Sequence, residues 1–324
     1  MERARAAVAQ YYREHGADVP IANICLTTST SEAYSYLFRL LCDPGDEVLV
    51  ARPSYPLFDF IARLDSVELR EYPLLYDPGA SAASSHAWSI DFGALRAAIT
   101  ERTRAIVLVH PNNPTGNYAS DTERRELEAL CAERGLALIV DEVFLDYPIA
   151  ETHTASSFIA GDGSALCFVL SGLSKVCALP QMKLSWIVAR GPAEALRDAM
   201  ARLEIIADTF LSVNAPSQAA LPSWLNGRGG LQEQIRGRVR RNLAALDARL
   251  PGSHADRLAL EGGWTAVLRV PRVVSGQPFA EAALDRGVLV QPGEFYGLPE
   301  GRAVVSLLSV PHVWNRGLKL LPID

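Results

Sequence analysis

The sequence predicts an α/β fold: a mostly parallel central sheet with helices on both faces, followed by a smaller α+β domain. Three observations point there. Short runs rich in β-branched and aliphatic residues alternate with segments of helical period, as strands joined by crossover helices do. Those runs are almost wholly apolar, as expected of strands covered on both faces. The polar and unusual residues gather just past the ends of the proposed strands, where open α/β sheets bind their ligands.

The strand candidates are ICLT at 24–27, EVLVA at 47–51, AIVLV at 105–109, LALIV at 136–140, LCFVL at 166–170 and SWIVA at 185–189. Between the first two, Ala33, Leu37, Leu40 and Leu41 fall on one helix face. DTERRELEALCAERG at 121–135 reads as a charged amphipathic helix stopped by Gly135. A long helical stretch at 229–250 follows. Then come a strand in WTAVLRV (264–270), a helix over PFAEAALDRG (278–287), and strands in VLVQPG (288–293) and AVVSLLSV (303–310). This division predicts a large domain at 18–228 and a small one at 229–324 joined by the long helix, with residues 1–17 packing against the small domain.

Composition bounds the function. With 324 residues, 49% hydrophobic and 21% charged, the chain has the make-up of a soluble globular protein. The net charge of −6 and the lack of a basic block speak against nucleic acid or an anionic membrane as a partner. The arginines of RGRVRRNLAALDARL (236–250) alternate with apolar residues and read as a solvated helix face. Five cysteines, odd in number and never as C-x-x-C, argue against a disulfide framework or a metal site and for a reducing compartment. The charged start lacks the apolar core of a signal peptide, and no apolar run reaches membrane length. A cytoplasmic protein is expected.

Five clusters stand at the strand ends: TTSTSE (27–32), RPSYP (52–56), HPNNPTG (110–116), DEVF (141–144) and SGLSK (171–175). A lysine after a buried strand is a candidate Schiff-base nucleophile, since desolvation lowers its pKa and frees the amine. A lone lysine there reads better as a surface lysine capping a helix; the other four clusters are what single Lys175 out. No G-x-G-x-x-G follows a strand, which sets aside a nicotinamide-dependent dehydrogenase.

SGLSK resembles the cofactor-lysine motif of the class I/II aminotransferases, pyridoxal-phosphate enzymes of fold type I (the aspartate aminotransferase fold). HPNNPTG is similar to that family's asparagine-proline loop, and DEV to its acidic motif. The order and spacing agree over nearly the whole chain. The resemblance implies a pyridoxal 5'-phosphate cofactor, amino acid and keto acid substrates, and a homodimer. It makes Lys175 the Schiff-base lysine and proton carrier, and Asp141 the carboxylate on the pyridinium nitrogen. Asn113 would bond the phenolic oxygen, and Tyr55 would stack on the ring. Ser29, Thr30 and Ser31, at the start of a helix, would receive the phosphate, although Ser29 with Glu32 also reads as a capping box. Lys183 stands where the family has a phosphate-binding arginine, keeping the charge without the fork. Ser171 and Ser174 would add hydroxyls, while Gly172 stands where many relatives have a serine.

The departures bear on chemistry. Phe144 replaces a tyrosine that bonds the phenolic oxygen, and Tyr147 lies near in sequence. Val304 stands in place of the arginine that grips a substrate α-carboxylate. Arg302, on the same strand face, and Arg269 are the substitutes on offer, and both also read as solvated or ion-paired arginines. The segment that precedes the first helix in the family, and helps close its site, is expected to be missing. Three functions therefore stay open: an aminotransferase, a decarboxylase or lyase of the same fold, and an impaired module that binds the cofactor.

Overall fold

The computed structural model describes residues 1–77, 79, 87–150, 156–275 and 277–324. In chain order its larger part runs α1 (Glu2–Glu14), β1 (Ile24–Thr27), α2 (Thr30–Leu41), β2 (Glu47–Arg52), α3 (Phe58–Leu64), β3 (Glu68–Tyr76), β4 (Trp88–Ile90) and α4 (Phe92–Ala98). It continues with β5 (Thr103–Val109), α5 (Asp121–Arg134), β6 (Ala137–Asp141), β7 (Cys167–Gly172), α6 (Leu173–Val176), β8 (Ser185–Arg190), α7 (Ala193–Thr209) and α8 (Ala215–Arg249).

Eight strands form one sheet in the order β1-β8-β7-β6-β5-β2-β3-β4. Strands β3, β2, β5, β6 and β7 run parallel to one another, and β4 is antiparallel to β3. β8 is antiparallel to β7, and β1 to β8, so β1 points the same way as the parallel set. The carboxyl ends of β1, β2, β5, β6 and β7 therefore share one edge, and with them the five polar clusters. Strands β2, β5, β6 and β7 are buried on both faces. Leu49, Ile106, Leu108, Leu138, Val140 and Val169 join one apolar core, and Val48, Val50, Val107, Ile139, Phe168 and Leu170 the other, as the two-residue repeat of a strand requires. That places helices on both sides and bears out the expected fold class.

Local signals set the helix ends. Ser120 and Glu123 form a reciprocal capping box at the start of α5, and Gly135 closes it in the left-handed conformation, where a glycine avoids the Cβ penalty. Caps of this kind contribute about 1 kcal/mol each.

The smaller unit has a four-stranded antiparallel sheet of Gln291–Pro292, Arg302–Ser306, Thr265–Arg269 and Asp256–Arg257, in that order. It packs on the C-terminal half of α8 and on Pro311–Leu320 through Val239, Leu243, Leu246, Leu268, Trp314 and Leu318.

Three expectations need correction. The long helix begins at Ala215 rather than 229: Pro216 sits in its first turn, where proline is tolerated, and Pro222 is accommodated one and a half turns further on. The strand expected at 288–293 shrinks to Gln291–Pro292. Residues 1–17 do not pack with the small unit. Ala4, Val8, Tyr11, Tyr12 and Ala17 join the core of the large sheet, Trp186 Nε1 donates to Tyr12 Oη at 3.2 Å, and the Met1 amino group donates to Gln218 on the first turns of α8. The apolar stripe of α1 covers the β1–β8 end of the sheet, which otherwise faces water.

Among the described residues no helix is long and apolar enough to cross a membrane, and no group of histidine, cysteine or carboxylate side chains is placed to hold a metal ion.

Candidate active site

Lys175 follows β7 on the single turn α6 and is half-buried. Its Nζ lies 5.8 Å from the ring centre of Phe144 and 5.4 Å from that of Trp264. Burial holds its pKa below the ordinary lysine value, opposed by the charge of Asp141. The removed water shell favours the neutral, nucleophilic amine.

Asp141 ends β6, buried among the strands. Its Oδ1 accepts from the Val143 N–H at 3.1 Å, and its Oδ2 from the Tyr34 hydroxyl at 3.2 Å. Burial pushes its pKa up to about 6, against those two bonds and Lys175. Lys175 and Asp141 thus act on each other across neighbouring strand ends.

The remaining expected residues take these places. Ser29 is the N-cap of α2 and accepts from the Glu32 N–H at 3.1 Å, while Glu32 accepts from the Thr28 N–H at 2.6 Å. Thr30 and Ser31 form the first turn, where helix geometry leaves N–H groups without intrahelical partners. The Ser29 hydroxyl is thus engaged in capping, and what the helix start offers an anion is backbone. Tyr55 is half-buried beyond β2, edge-on to Phe58 at 5.6 Å. Burial raises its pKa, and Asp141 adds to the rise.

Asn113 follows β5, and its Oδ1 is buried without a hydrogen-bond partner. Its neighbour Asn112 instead holds the loop together, donating to the carbonyl of Pro53 at 3.0 Å and to Thr115 Oγ1 at 2.7 Å. Gly116, at φ +70°, lets this loop meet the small unit: a Cβ there would stand 2.4 Å from the Gly262 carbonyl oxygen. Thr265 Oγ1 donates to the Pro114 carbonyl at 3.0 Å in the same seam.

Ser171 is buried on β7 with its Oγ unpartnered, and Ser174 is half-buried beside Lys175. A Cβ at Gly172 would come within 2.1 Å of Ser185 Oγ, so Ser185 occupies the space a serine at 172 would need. Lys183 is exposed, and the recess it lines is formed with Asn214, Ser217 and Trp224 of the α8 start rather than with α2.

Phe144 forms part of the wall around Lys175. Tyr147 does not face the amine: its hydroxyl donates to the Lys175 carbonyl at 2.5 Å. Val304 is buried in the core shared with the large sheet. Arg269 is held by Asp256 at 2.5 and 2.6 Å, and Arg302 donates to the Gly301 carbonyl at 3.0 Å. These partners are local to the small sheet.

Sequence reasoning missed Tyr34, Trp264 and Ser185. Tyr34 falls on the apolar face of α2 and reads as core, and Trp264 belongs to a distant strand. For neither is there a signal in local sequence. Ser185 opens the predicted strand SWIVA, and its closeness to Gly172 follows from antiparallel pairing of β7 with β8.

The sequence model described as aminotransferase class I and II matches residues 2–309. The glutamate-pyruvate aminotransferase AlaA of Escherichia coli strain K12 is 32% identical over 235 residues, covering 72% of this chain and 55% of that protein. An alanine aminotransferase of Mycobacterium bovis is 29% identical over 217 residues, covering 66% and 48%. The chain thus spans about half the length of the curated relatives it matches. Among solved structures, an alanine aminotransferase from Pyrococcus furiosus superposes with a TM-score of 0.87 at 23% identity, covering 99% of this chain and 80% of that one. A tyrosine aminotransferase from Leishmania infantum gives 0.85 at 22%, covering 98% and 82%. At such identities these two establish the fold. Together with the match over 2–309, they show that the chain belongs to the class I and II aminotransferases, a family whose members use pyridoxal phosphate.

Proposed function

We propose that the protein is a pyridoxal-phosphate-dependent aminotransferase, moving an amino group between an amino acid or related amine and a keto acid. The observation that carries this reading is the placement of Lys175, Asp141, Asn113 and Tyr55 at one edge of the sheet, on the ends of adjacent strands.

The residues present suit the cofactor. The buried Asn113 Oδ1 and Ser171 Oγ lack partners, so the Asn113 amide and the Ser171 hydroxyl are not committed to the protein, and the amide N–H can donate to a ligand oxygen. Pyridoxal phosphate, when bound, supplies an aldehyde that takes up amines and a ring that draws electrons from the bond being broken.

The chain's own residues divide the remaining work. The Asp141 carboxylate would hold positive charge on the ring nitrogen. The Asn113 amide would bond the ring's oxygen substituent, and Tyr55 would stack on the ring. The Thr30 and Ser31 amides, with the helix dipole behind them, receive the phosphate; Ser171 and Ser174 add hydroxyls, and Lys183 adds long-range positive charge. Lys175 Nζ, whose neutral form burial favours, would take up the α-proton of the donor and hand it on from the same side. Phe144 and Trp264 keep water from that amine.

The reading includes a homodimer and a reducing, cytoplasmic setting. Phe60 and Leu64 on α3, with Ile205 and Leu211 at the end of α7, are large apolar side chains left exposed in the single chain, and all five cysteines are free thiols. Light scattering against the chain mass of 35.2 kDa tests the first point.

The deciding experiment adds pyridoxal phosphate to the purified protein, then a panel of amino acids. A visible band that converts with release of a keto acid, and a borohydride-stable adduct on Lys175 that Lys175→Ala removes, are expected. Release of carbon dioxide without a keto acid would replace the aminotransferase with a decarboxylase. An adduct that survives Lys175→Ala would remove the assignment of the lysine.

A further inference from the structure

Tyr34 has no part in the scheme above. It lies on α2, one turn beyond Thr30, fully buried, and its hydroxyl donates to Asp141 Oδ2 at 3.2 Å. Phe58 packs edge-on against its ring at 5.0 Å, and Phe38 lies tilted at 6.1 Å. The rest of its surroundings, Ala33, Leu37 and Phe38 included, are apolar core. A phenylalanine would fill the same space without bringing a hydroxyl into it, and a buried hydroxyl is unfavourable unless it is bonded. Its one described bond goes to Asp141.

We propose that Tyr34 is a positioning residue for Asp141, fixing the orientation of the carboxylate and holding it ionised so that it can accept from the ring nitrogen. With the Val143 N–H on Oδ1 and the Tyr34 hydroxyl on Oδ2, the carboxylate plane is pinned at both oxygens. Each oxygen keeps capacity to accept one further donor. A protonated Asp141 would instead present a hydrogen where an acceptor is needed.

Several titratable groups surround Asp141. Lys175 on α6 favours the carboxylate. Tyr55 beyond β2 and Tyr12 on α1 feel its charge without bonding it. Glu142, next on the chain, turns the other way to accept from Ser157 Oγ and the Phe158 N–H, both at 2.6 Å. Among the described residues Tyr34 is the side chain that bonds Asp141 directly, and that bond works against the burial.

The helix gives the contact a second meaning. Thr30 and Tyr34 are four residues apart on α2, about 6 Å along its axis. One rigid element therefore carries both the amides offered to the phosphate and the hydroxyl that sets the Asp141 carboxylate. α2 fixes the span between the two grips.

This role rests on the assignment of Asp141 to the ring nitrogen, and the test separates the two. In the full-length cofactor-free chain labelled with ¹³C-aspartate, Tyr34→Phe is expected to raise the Asp141 titration midpoint by about one pH unit, the size of one hydrogen bond to a charged group. In the loaded enzyme the acid limb of the half-reaction with an amino acid should rise by the same amount. Rates on the neutral plateau should fall only severalfold, from the lost orientation, because the ionised carboxylate is restored there. A 3-fluorotyrosine at position 34, a stronger donor of almost the same shape, should move the midpoint downward, and it provides the answer if Tyr34→Phe fails to fold. An unchanged midpoint overturns the link between Tyr34 and Asp141. A midpoint that moves while the acid limb stays fixed overturns the role of that link in the reaction, and with it the assignment of Asp141.

Discussion

The Tyr147 hydroxyl donates to the backbone carbonyl of Lys175 at 2.5 Å, while the same ring lies 5.1 Å from Trp264 of the small unit. The turn carrying the amine is thus tied to the loop after β6, and that loop to the strand end that covers it. Removing the hydroxyl leaves the carbonyl half-satisfied and the lysine turn freer to move. Tyr147→Phe is expected to lower stability by about 1 kcal/mol and to slow the half-reaction severalfold, with little change in its pH profile. Urea denaturation and stopped-flow absorbance measure the two effects.

Asp141 tests the tension between function and stability. Its folded pKa of about 6 lies above the ordinary value of 3.8. Between those values the native state binds more protons than the unfolded chain, so stability falls as pH rises from about 4 to about 6 and stays low above that. Asp141→Asn removes the buried charge but forfeits an acceptor. The cofactor-free protein should gain about 1–2 kcal/mol at pH 8 and nothing at pH 4, while α-proton exchange is lost. A gain over the parent protein no larger at pH 8 than at pH 4 would contradict the buried-charge account.

His15 works in the opposite direction. Its Nε2 lies 2.8 Å from Asp146 Oδ1. Burial lowers its pKa, and the bond and charge of Asp146 more than offset that, leaving it raised. The stabilisation is fully present below about 6.5, the unfolded value, and fades as pH rises through the folded pKa. His15→Ala should therefore be most damaging at pH 5.5–6 and approach the parent protein in stability by pH 9. Melting temperatures across that range decide the matter.

Asn113 offers a direct reading of cofactor grip. Because the amide has an unpartnered buried oxygen in the cofactor-free chain, Asn113→Ala should leave the melting temperature of that form unchanged or slightly higher. Retention of pyridoxal phosphate should weaken about tenfold, the equivalent of one good hydrogen bond. Fluorescence titration with the cofactor measures it.

What could be read in the sequence follows the range over which each signal acts. The parallel strands announce themselves because burial on both faces leaves only apolar residues, and the site clusters because they stand at strand ends in family order. β3 escapes because it lies near the sheet edge, with Glu68, Arg70 and Glu71 exposed or half-exposed and Pro73 within it. The first four turns of α8 escape because Pro216, Pro222 and Gly227 mask the helical period. The packing of α1 is set by partners more than 100 residues away: Asp146, Trp186 and Gln218. Tyr34 is hidden for the same reason, since its meaning depends on a residue 107 positions distant.

The continuous helix α8 has a mechanical consequence. Leu221 and Leu225 lie in the core of the large sheet, while Val239, Leu243 and Leu246 lie in that of the small one. The unbroken backbone ladder between them is a shared beam, and neither core can melt without fraying the other's support. Calorimetry should accordingly register one melting event for the whole chain rather than two, and a pair of glycines inserted near Arg228 should split it.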